Sequence, residues 1–479
     1  MNGILLRALT DSVARHPESL IGARAGRETW ARTLDDGYDR SRRLARVLPG
    51  DRGRVAIIRR NSPAYVSDLL AVLAAGHVPM LMDPALGTAE LARLFADCGV
   101  DAVLHDDTAR LPALRSTVDC AGTALGLVDG GTGPVPQLHP DTELCRLTSG
   151  STRTPGCIEF SGAAVTAAAA GWRTACGFGP EDRILCFAGL YNGLGFNAAL
   201  IPGLLAGASM YLPAGLPSAG NLRRHLVEVD PTVLVAFPAA YDGLAASDPS
   251  TLSRHKVRLA LSSAARLSTR TSSVLAAHGI RIGDYYGIAE TGPLTFNPDP
   301  QPGGGQGRPL PGVSLLFDGD PPTLLARSRS MGTRYLNYPG MLEQRITESG
   351  HYRTSDQGML TADGELRLGD RVDDTFSVGG KKFSADEIEE LLSSHPDVTE
   401  CAVTMVVREG RSFLGAAVVA PETLDIVAVR RFCLARAAAF KVPERLVVVQ
   451  AIPRNGAGKV QRAVISKLLL AGLDQPSNG

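Results

Sequence analysis

Residues 54–106, RVAIIRRNSPAYVSDLLAVLAAGHVPMLMDPALGTAELARLFADCGVDAVLHD, contain the pattern that decides the fold. Short apolar, β-branched runs (VAIIRR, VPMLMD, DAVLHD) alternate with two stretches of helical periodicity, SPAYVSDLLAVLAAGHV and TAELARLFADCGV. Strands separated by helices of that length make parallel βαβ units. The alternation returns at 183–188, 208–212, 233–237 and 258–262, which predicts a large layered α/β body. The Gly/Pro-rich GGTGPVPQLHP (130–140) reads as a surface loop, and a second such stretch, PDPQPGGGQGRPLPG (298–312), separates the α/β body from a strand-rich segment. After LGDRVDD (368–374) come a helix, two strands, a helix around 427–439, a strand and a last helix. The expected class is therefore α/β, a large N-terminal layered domain (1–372) with a strand-rich subdomain, plus a small mobile α+β domain (373–479).

A chain of 479 residues exceeds one ordinary core, and 44% hydrophobic with 20% charged residues is a globular composition. Lys plus Arg and Asp plus Glu both number 49, so no net field draws the chain to nucleic acid or an anionic membrane surface. No apolar run reaches the roughly eighteen residues needed to cross a bilayer. The eight cysteines show no C-x-x-C spacing, and MNGILLRALTDSVARHP lacks a signal-peptide core. These features predict a cytoplasmic protein whose partner is a small molecule, as monomer or homodimer.

Five motifs carry chemistry. LTSGSTRTPGCI (147–158) gathers Thr148, Ser149, Gly150, Ser151 and Thr152, whose N–H and O–H donors suit phosphate oxygens; alone, such a cluster is more often a solvated turn. It is not a Walker loop, because no G-K-[ST] follows the glycine. YYGIAETG (285–292) follows a strand and can set the Tyr286 ring against a base and the Glu290 carboxylate toward Mg²⁺, although Tyr-Gly after a strand is usually core plus turn. HYRTSDQGML (351–360) offers Asp356, a carboxylate able to accept from both hydroxyls of a diol. LGDRVDDTFSVGGKKFSADEIEELL (368–392) is at least an amphipathic helix behind a glycine turn, and PRNGAGKVQR (453–462) holds a lysine on a short glycine loop.

In this order the motifs resemble those of the adenylate-forming superfamily of acyl-CoA synthetases, peptide-synthetase adenylation domains and luciferases, over residues 27–467. Thr148–Thr152 and Pro155 match T-S-G-[ST]-T-G-x-P-K-G; Tyr286, Gly287, Ala289 and Glu290 match Y-G-x-[TA]-E; and 352–356 is close to Y-R-T-G-D. The resemblance implies ATP and Mg²⁺ as cofactors, with Thr148 to Thr152 on the phosphates and Glu290 as the metal ligand. LSSAARLS (261–268) resembles the segment lining the adenine and acyl pockets, which assigns Ser262 and Ala264 there. Tyr286 and Gly287 would border adenine, Asp356 would grip the ribose and Arg371 would reach ribose or phosphate. Tyr191, Asn192, Gly193, Tyr285 and Ile288 would line the acid pocket. Asp373 would be the hinge, Gly379 and Gly380 the channel for the acceptor thiol, and Lys459 the adenylation catalyst.

The sequence departs from the family pattern at three places: Gly156 replaces the loop lysine, Asn192 a histidine and Ser377 a lysine. Arg153 is expected to supply the missing loop charge, so Arg153→Ala should raise the KM for ATP several-fold. Asn192 reads equally well as a hydrogen-bond partner for a polar acid or as a helix cap. No Asp or Glu lies between Arg183 and Glu228, which disfavours an α-amino acid, whose ammonium would lack its counter-charge. The resemblance thus implies adenylation of a non-α-amino, preferentially aromatic acid and transfer to CoA or to the phosphopantetheine thiol of an acyl carrier protein, in bacterial secondary metabolism. Activation of nitrite to diazotise an aryl amine, and an inactive adenylate-binding scaffold, are the rival readings.

Overall fold

The computed structural model describes residues 3–22, 26–106, 110–129, 135–148, 155–213, 215, 218–247, 255–262, 269–301, 305–319, 322–371, 375–378, 381–409, 411–453, 460 and 462–471. Two large sheets form the body. One has eight strands in the order Arg334–Tyr335, Cys157–Ser161, Thr142–Leu147, Val78–Leu81, Arg54–Ile58, Ala102–His105, Ala124–Leu127 and Ser116–Asp119. The other has nine, with a parallel centre of Ile282–Ile288, Leu259–Ser262, Val233–Val235, Arg183–Cys186 and Ser209–Tyr211.

Strand alternation determines the layers. Val55 and Ile57 face a central core shared with Ile184, Val233, Leu261 and Trp172, while Ala56 and Ile58 face an outer cluster under Leu91, Leu94 and Phe95 of the Thr88–Cys98 helix. On the second sheet Leu185, Leu234 and Ala260 turn outward to Leu226, Tyr241 and Leu275. Helices thus fill the space between the sheets and cover both outer faces. Asn61 ties the layers together, donating to Ala188 O at 2.7 Å and accepting from Leu190 N at 2.9 Å.

A four-stranded sheet (Ser314–Asp318, Thr323–Arg327, Tyr352–Leu360, Leu366–Arg371) follows. The small domain then has a hairpin, Thr375–Val378 with Lys381–Ser384, and a three-stranded sheet packed on helices Ala385–Ser393, Ile426–Leu434 and Arg462–Ala471. The expected α/β class with a smaller second domain is observed. All eight cysteines are free thiols, seven of them buried. Among the described residues no helix is long and apolar enough to cross a membrane.

Two sequence expectations change. The helix expected over 427–439 stops at Leu434, and Ala439–Lys441 forms a separate 3-10 turn. ARAAAF has good helix propensity, but breaking the helix brings Ala438 N and Lys441 Nζ onto Glu90 of the large domain, so tertiary contacts override propensity. The stretch 298–312 does not only separate the body from the strand-rich segment: Arg308–Pro309 pairs with Gly292–Asn297 as the body sheet's last strand, an edge position where proline is tolerated.

Candidate active site

The site lies where the C-terminal ends of parallel strands from both sheets meet, the usual place for a ligand crevice in α/β proteins. The Val78–Leu81 strand leads to Asp83, its parallel neighbour Thr142–Leu147 leads to Thr148, and Ile282–Ile288 ends at Glu290. Residues 149–154 lie outside the described residues, so Ser149, Gly150, Ser151, Thr152 and Arg153 are not placed. The base of that loop is described: Thr148 N donates to Gly156 O at 2.7 Å, and Gly156 N donates to Thr148 Oγ1 at 2.9 Å. Asn337 fastens the far side, accepting from Cys157 N at 2.8 Å and donating to Pro155 O at 3.0 Å.

Gly156 has a steric explanation. A Cβ there would lie 2.4 Å from Cε1 and 2.7 Å from Cδ1 of Tyr335. The ring occupies the space where any side chain at 156 would start. Tyr335 sits on a two-residue strand that Glu159 anchors: the buried carboxylate accepts from Arg334 Nε at 2.7 Å, His139 N at 2.7 Å and Thr142 Oγ1 at 2.5 Å.

Tyr335 Oη donates to Glu290 Oε1 at 2.5 Å, and Tyr352 Oη donates to the same oxygen at 3.2 Å. Burial first, and the Glu290 charge second, hold both phenols well above their ordinary pKa, so both stay protonated donors. Among the described residues no donor is placed on Oε2. A hard cation such as Mg²⁺ takes few carboxylate oxygens beside phosphate oxygens, and this carboxylate, fixed through one oxygen, fits that demand.

On the neighbouring rung Tyr286 Oη donates to Asp356 Oδ2 at 2.6 Å, both groups being buried. A carboxylate has about four acceptor sites and Tyr286 fills one, so a ribose diol is within its capacity. Asp356 pairs across the strands with Arg371, whose side chain lies outside the described residues. Gly287 follows a β-bulge, and a Cβ there would come within 2.6 Å of Gly292 O.

The residues expected to line the acid pocket have aromatic neighbours. Tyr285 stacks edge-on against Trp172 with centroids 5.0 Å apart, and Trp172 against Phe296 at 5.1 Å. Asn192 caps the helix that begins at Gly193, its Oδ1 accepting from Gly195 N at 2.9 Å. That helix passes through a π-helical segment, Phe196–Leu200. Pro202 has no N–H for Ala198 O, and Trp172 Nε1 donates to that carbonyl at 2.9 Å instead. Ser262 Oγ is buried without a hydrogen-bond partner, and Ile288 packs beside the core.

Sequence reasoning missed the groups that join the domains. Lys381 Nζ, in the small-domain hairpin, pairs with Asp83 and lies 5.7 Å from the Tyr191 ring centroid and 4.6 Å from that of Phe440. Burial, then the Asp83 charge, raises the Tyr191 phenol. Lys441, 2% exposed, reaches Glu90 Oε1 at 2.6 Å and Glu387 Oε1 at 2.5 Å. Lys381 and Glu387 lie within the 368–392 motif, which gave them no role, and Asp83, Glu90 and Lys441 stand outside every motif. The residues the sequence assigned to channel, hinge and catalysis, Gly379, Gly380, Asp373 and Lys459, lie outside the described residues, as does Ala264.

A family model described as "AMP-binding enzyme" matches residues 9–317, and one described as "AMP-binding enzyme C-terminal domain" matches 387–459. The chain belongs to the AMP-binding enzyme family. It is an AMP-forming ligase of the adenylate-forming superfamily, similar to acyl- and aryl-CoA synthetases. A 4-chlorobenzoate–CoA ligase from Arthrobacter sp is 28% identical over 458 residues, 88% of this chain and 87% of that protein. An anthranilate–CoA ligase from Pseudomonas aeruginosa is 27% identical over 462 residues, 89% of this chain and 88% of that one. Among solved structures, a malonyl-CoA ligase ternary product complex with methylmalonyl-CoA and AMP bound is 27% identical, covers 94% of this chain and 100% of its own, and has a TM-score of 0.79.

Proposed function

We propose that this AMP-binding enzyme adenylates a non-α-amino, aromatic carboxylic acid with ATP and passes the acyl group to a thiol of CoA or of a carrier protein's phosphopantetheine. The observation that carries the choice of acid is the set of side chains around the expected pocket residues Gly193 and Tyr285. Trp172, Tyr285, Phe160 and Phe196 supply aromatic walls, and the charged group among them is a cation, Arg146, where an α-ammonium substrate would need an anion. The relatives named for benzoate- and anthranilate-type acids support the aromatic reading.

The proposed roles follow the family resemblance, with Tyr286, Glu290 and Asp356 at the described hydrogen bonds. Thr148 to Thr152 and Arg153 hold the phosphates, Tyr286 and Asp356 hold the nucleoside, and Arg371 and Lys459 steady the charge that develops as the carboxylate attacks the α-phosphorus. Mg²⁺ at Glu290 would neutralise phosphate charge. The small domain, 373–479, turns about Asp373, so that Lys459 serves the first half-reaction and the Gly379–Gly380 turn serves the second. Contact of the Lys381 hairpin with Asp83 and Tyr191 supports reading the arrangement described here as the thiol-transfer one.

The test is pyrophosphate release measured across aryl, aliphatic and inorganic acids, each with and without CoA. Release that depends on an aryl acid and yields a thioester is expected. Release that needs nitrite and an aryl amine would replace ligation with diazotisation, and silence across the panel would leave an adenylate-binding scaffold.

A further inference from the structure

Arg146 stands two residues before the phosphate loop on the Thr142–Leu147 strand, and its side chain is buried, 6% exposed, beside the expected acid-pocket residue Gly193. The guanidinium lies over the Phe160 ring at 4.7 Å and over Phe196 at 5.6 Å. With the Asn197 amide oriented oxygen-inward, that oxygen accepts from both terminal nitrogens at 3.0 and 3.3 Å. Two neutral contacts are a poor replacement for hydration of a full charge, and burial lowers the Arg146 pKa to about 10. Among the described residues no carboxylate lies within ion-pair distance of it.

The surroundings form a site. A Cβ on Gly193 would come 4.0 Å from Arg146 Nη1 and 3.9 Å from Tyr285 Oη, so the missing side chain leaves a space edged by both groups. Tyr65 is fully buried, and among the described residues its hydroxyl has no hydrogen-bond partner. It is close enough to Arg146 and to Tyr191 for their charges to act on one another. A lone cation, an unpartnered hydroxyl and a glycine gap in an aromatic pocket make a receptor for an anionic oxygen group.

Resting on the adenylation reading, we propose that the acid carries a second anionic oxygen group, distal to the carboxylate that is activated, and that Arg146 is the specificity-determining residue that holds it. A dicarboxylate is the simplest member of this class. The substrate supplies the counter-charge the protein omits, which selects for diacids over monoacids of the same skeleton.

The test uses benzoate against benzene-1,4-dicarboxylate and butyrate against succinate, with wild type, Arg146→Met and Arg146→Lys. Calorimetric binding and acid-dependent exchange of labelled pyrophosphate into ATP are the two readouts, with melting temperature as the folding control. Wild type is expected to prefer the diacid of at least one pair. Arg146→Met should lose about 10- to 100-fold more affinity for the diacid than for the monoacid of the same skeleton, the worth of charged hydrogen bonds, and Arg146→Lys should lose less. Arg146→Met should melt no lower than wild type, since it removes a buried charge without a carboxylate partner. Equal effects on both acids of a pair, or no diacid binding to wild type, overturns the proposal and leaves Arg146 a packing residue. Diacid binding through Arg146 without exchange would sink the adenylation reading while leaving the assignment of Arg146 standing.

Discussion

Glu90→Gln tests the domain interface without touching the nucleotide or acid pockets. Glu90 Oε1 meets Lys441 Nζ at 2.6 Å, and Oε2 accepts from Ala438 N at 3.1 Å and from Gly87 N at 2.9 Å. The first two contacts cross from the large domain to the small one; the third closes the capping box of the Thr88–Cys98 helix, which an isosteric amide can still supply. The side chains are only 13% and 3% exposed, so screening by solvent is slight. A hydrogen bond to a buried charge contributes about 1.5–3 kcal/mol, so losing one should shift the closed arrangement about 10- to 150-fold toward open. The expected result is a split between half-reactions: pyrophosphate exchange close to wild type, thioester formation down by at least ~10-fold at the low end of that range. The assay is exchange of labelled pyrophosphate beside single-turnover acyl transfer from preformed acyl-adenylate. Equal slowing of both halves, or unchanged transfer, would refute the reasoning.

Asp356→Asn should raise the KM for ATP by at least ~10-fold by weakening a charge-assisted grip on ribose, whereas Tyr286→Phe, which removes only the 2.6 Å bond orienting that carboxylate, should raise it less; steady-state kinetics with varied ATP checks both. Gly156→Ala forces the Tyr335 ring aside, and overpacking of this kind costs about 1–3 kcal/mol, so a lowered denaturant midpoint and weaker use of Mg·ATP are expected together. Burial pushes Glu387 up to about 7 at the closed interface against an ordinary 4.5, with Lys441 opposing. A carboxyl whose pKa is raised on closure takes up a proton there, so closure is favoured below the ordinary value and loses ground as pH rises through about 7. Scattering or interdomain fluorescence across that window should show opening toward alkaline pH.

The layered body was legible because its strands and helices obey simple periods. The run 54–58 reads as a strand and is one, with Val55 and Ile57 on one face and Ala56 and Ile58 on the other. Motifs brought Tyr286, Glu290, Asp356 and Thr148 to attention; Thr148 and Glu290 follow strand ends, while Tyr286 and Asp356 lie within strands. What the sequence hid were partners remote in the chain. Nothing near Arg334–Tyr335 announces that its ring fills the space beside Gly156, 179 positions away, or that its hydroxyl steadies Glu290. Arg146 carried one faint signal, a cation in the strand TELCRL just before the loop, which gains meaning only once Phe160, Phe196 and Gly193 surround it.

The loop glycine and Tyr335 are best understood as one change. A lysine at 156 would bring a positive charge to the phosphates, but its stem would have to pass through the Tyr335 ring. With glycine there, the ring closes over the loop base and its hydroxyl reaches Glu290, so the position trades a cation on the phosphates for a donor on a carboxylate. Those two effects separate experimentally. Tyr335→Phe keeps the ring over Gly156 and removes only the donor to Glu290, so it should weaken the dependence on Mg²⁺ while leaving the melting temperature nearly unchanged. Gly156→Lys alone should destabilise the protein, because the ring blocks it; combined with Tyr335→Ala it should fold and bind ATP through the restored cation. If Gly156→Lys alone is as stable and active as wild type, the ring is not what excludes a side chain at 156, and the coupling of these two positions fails.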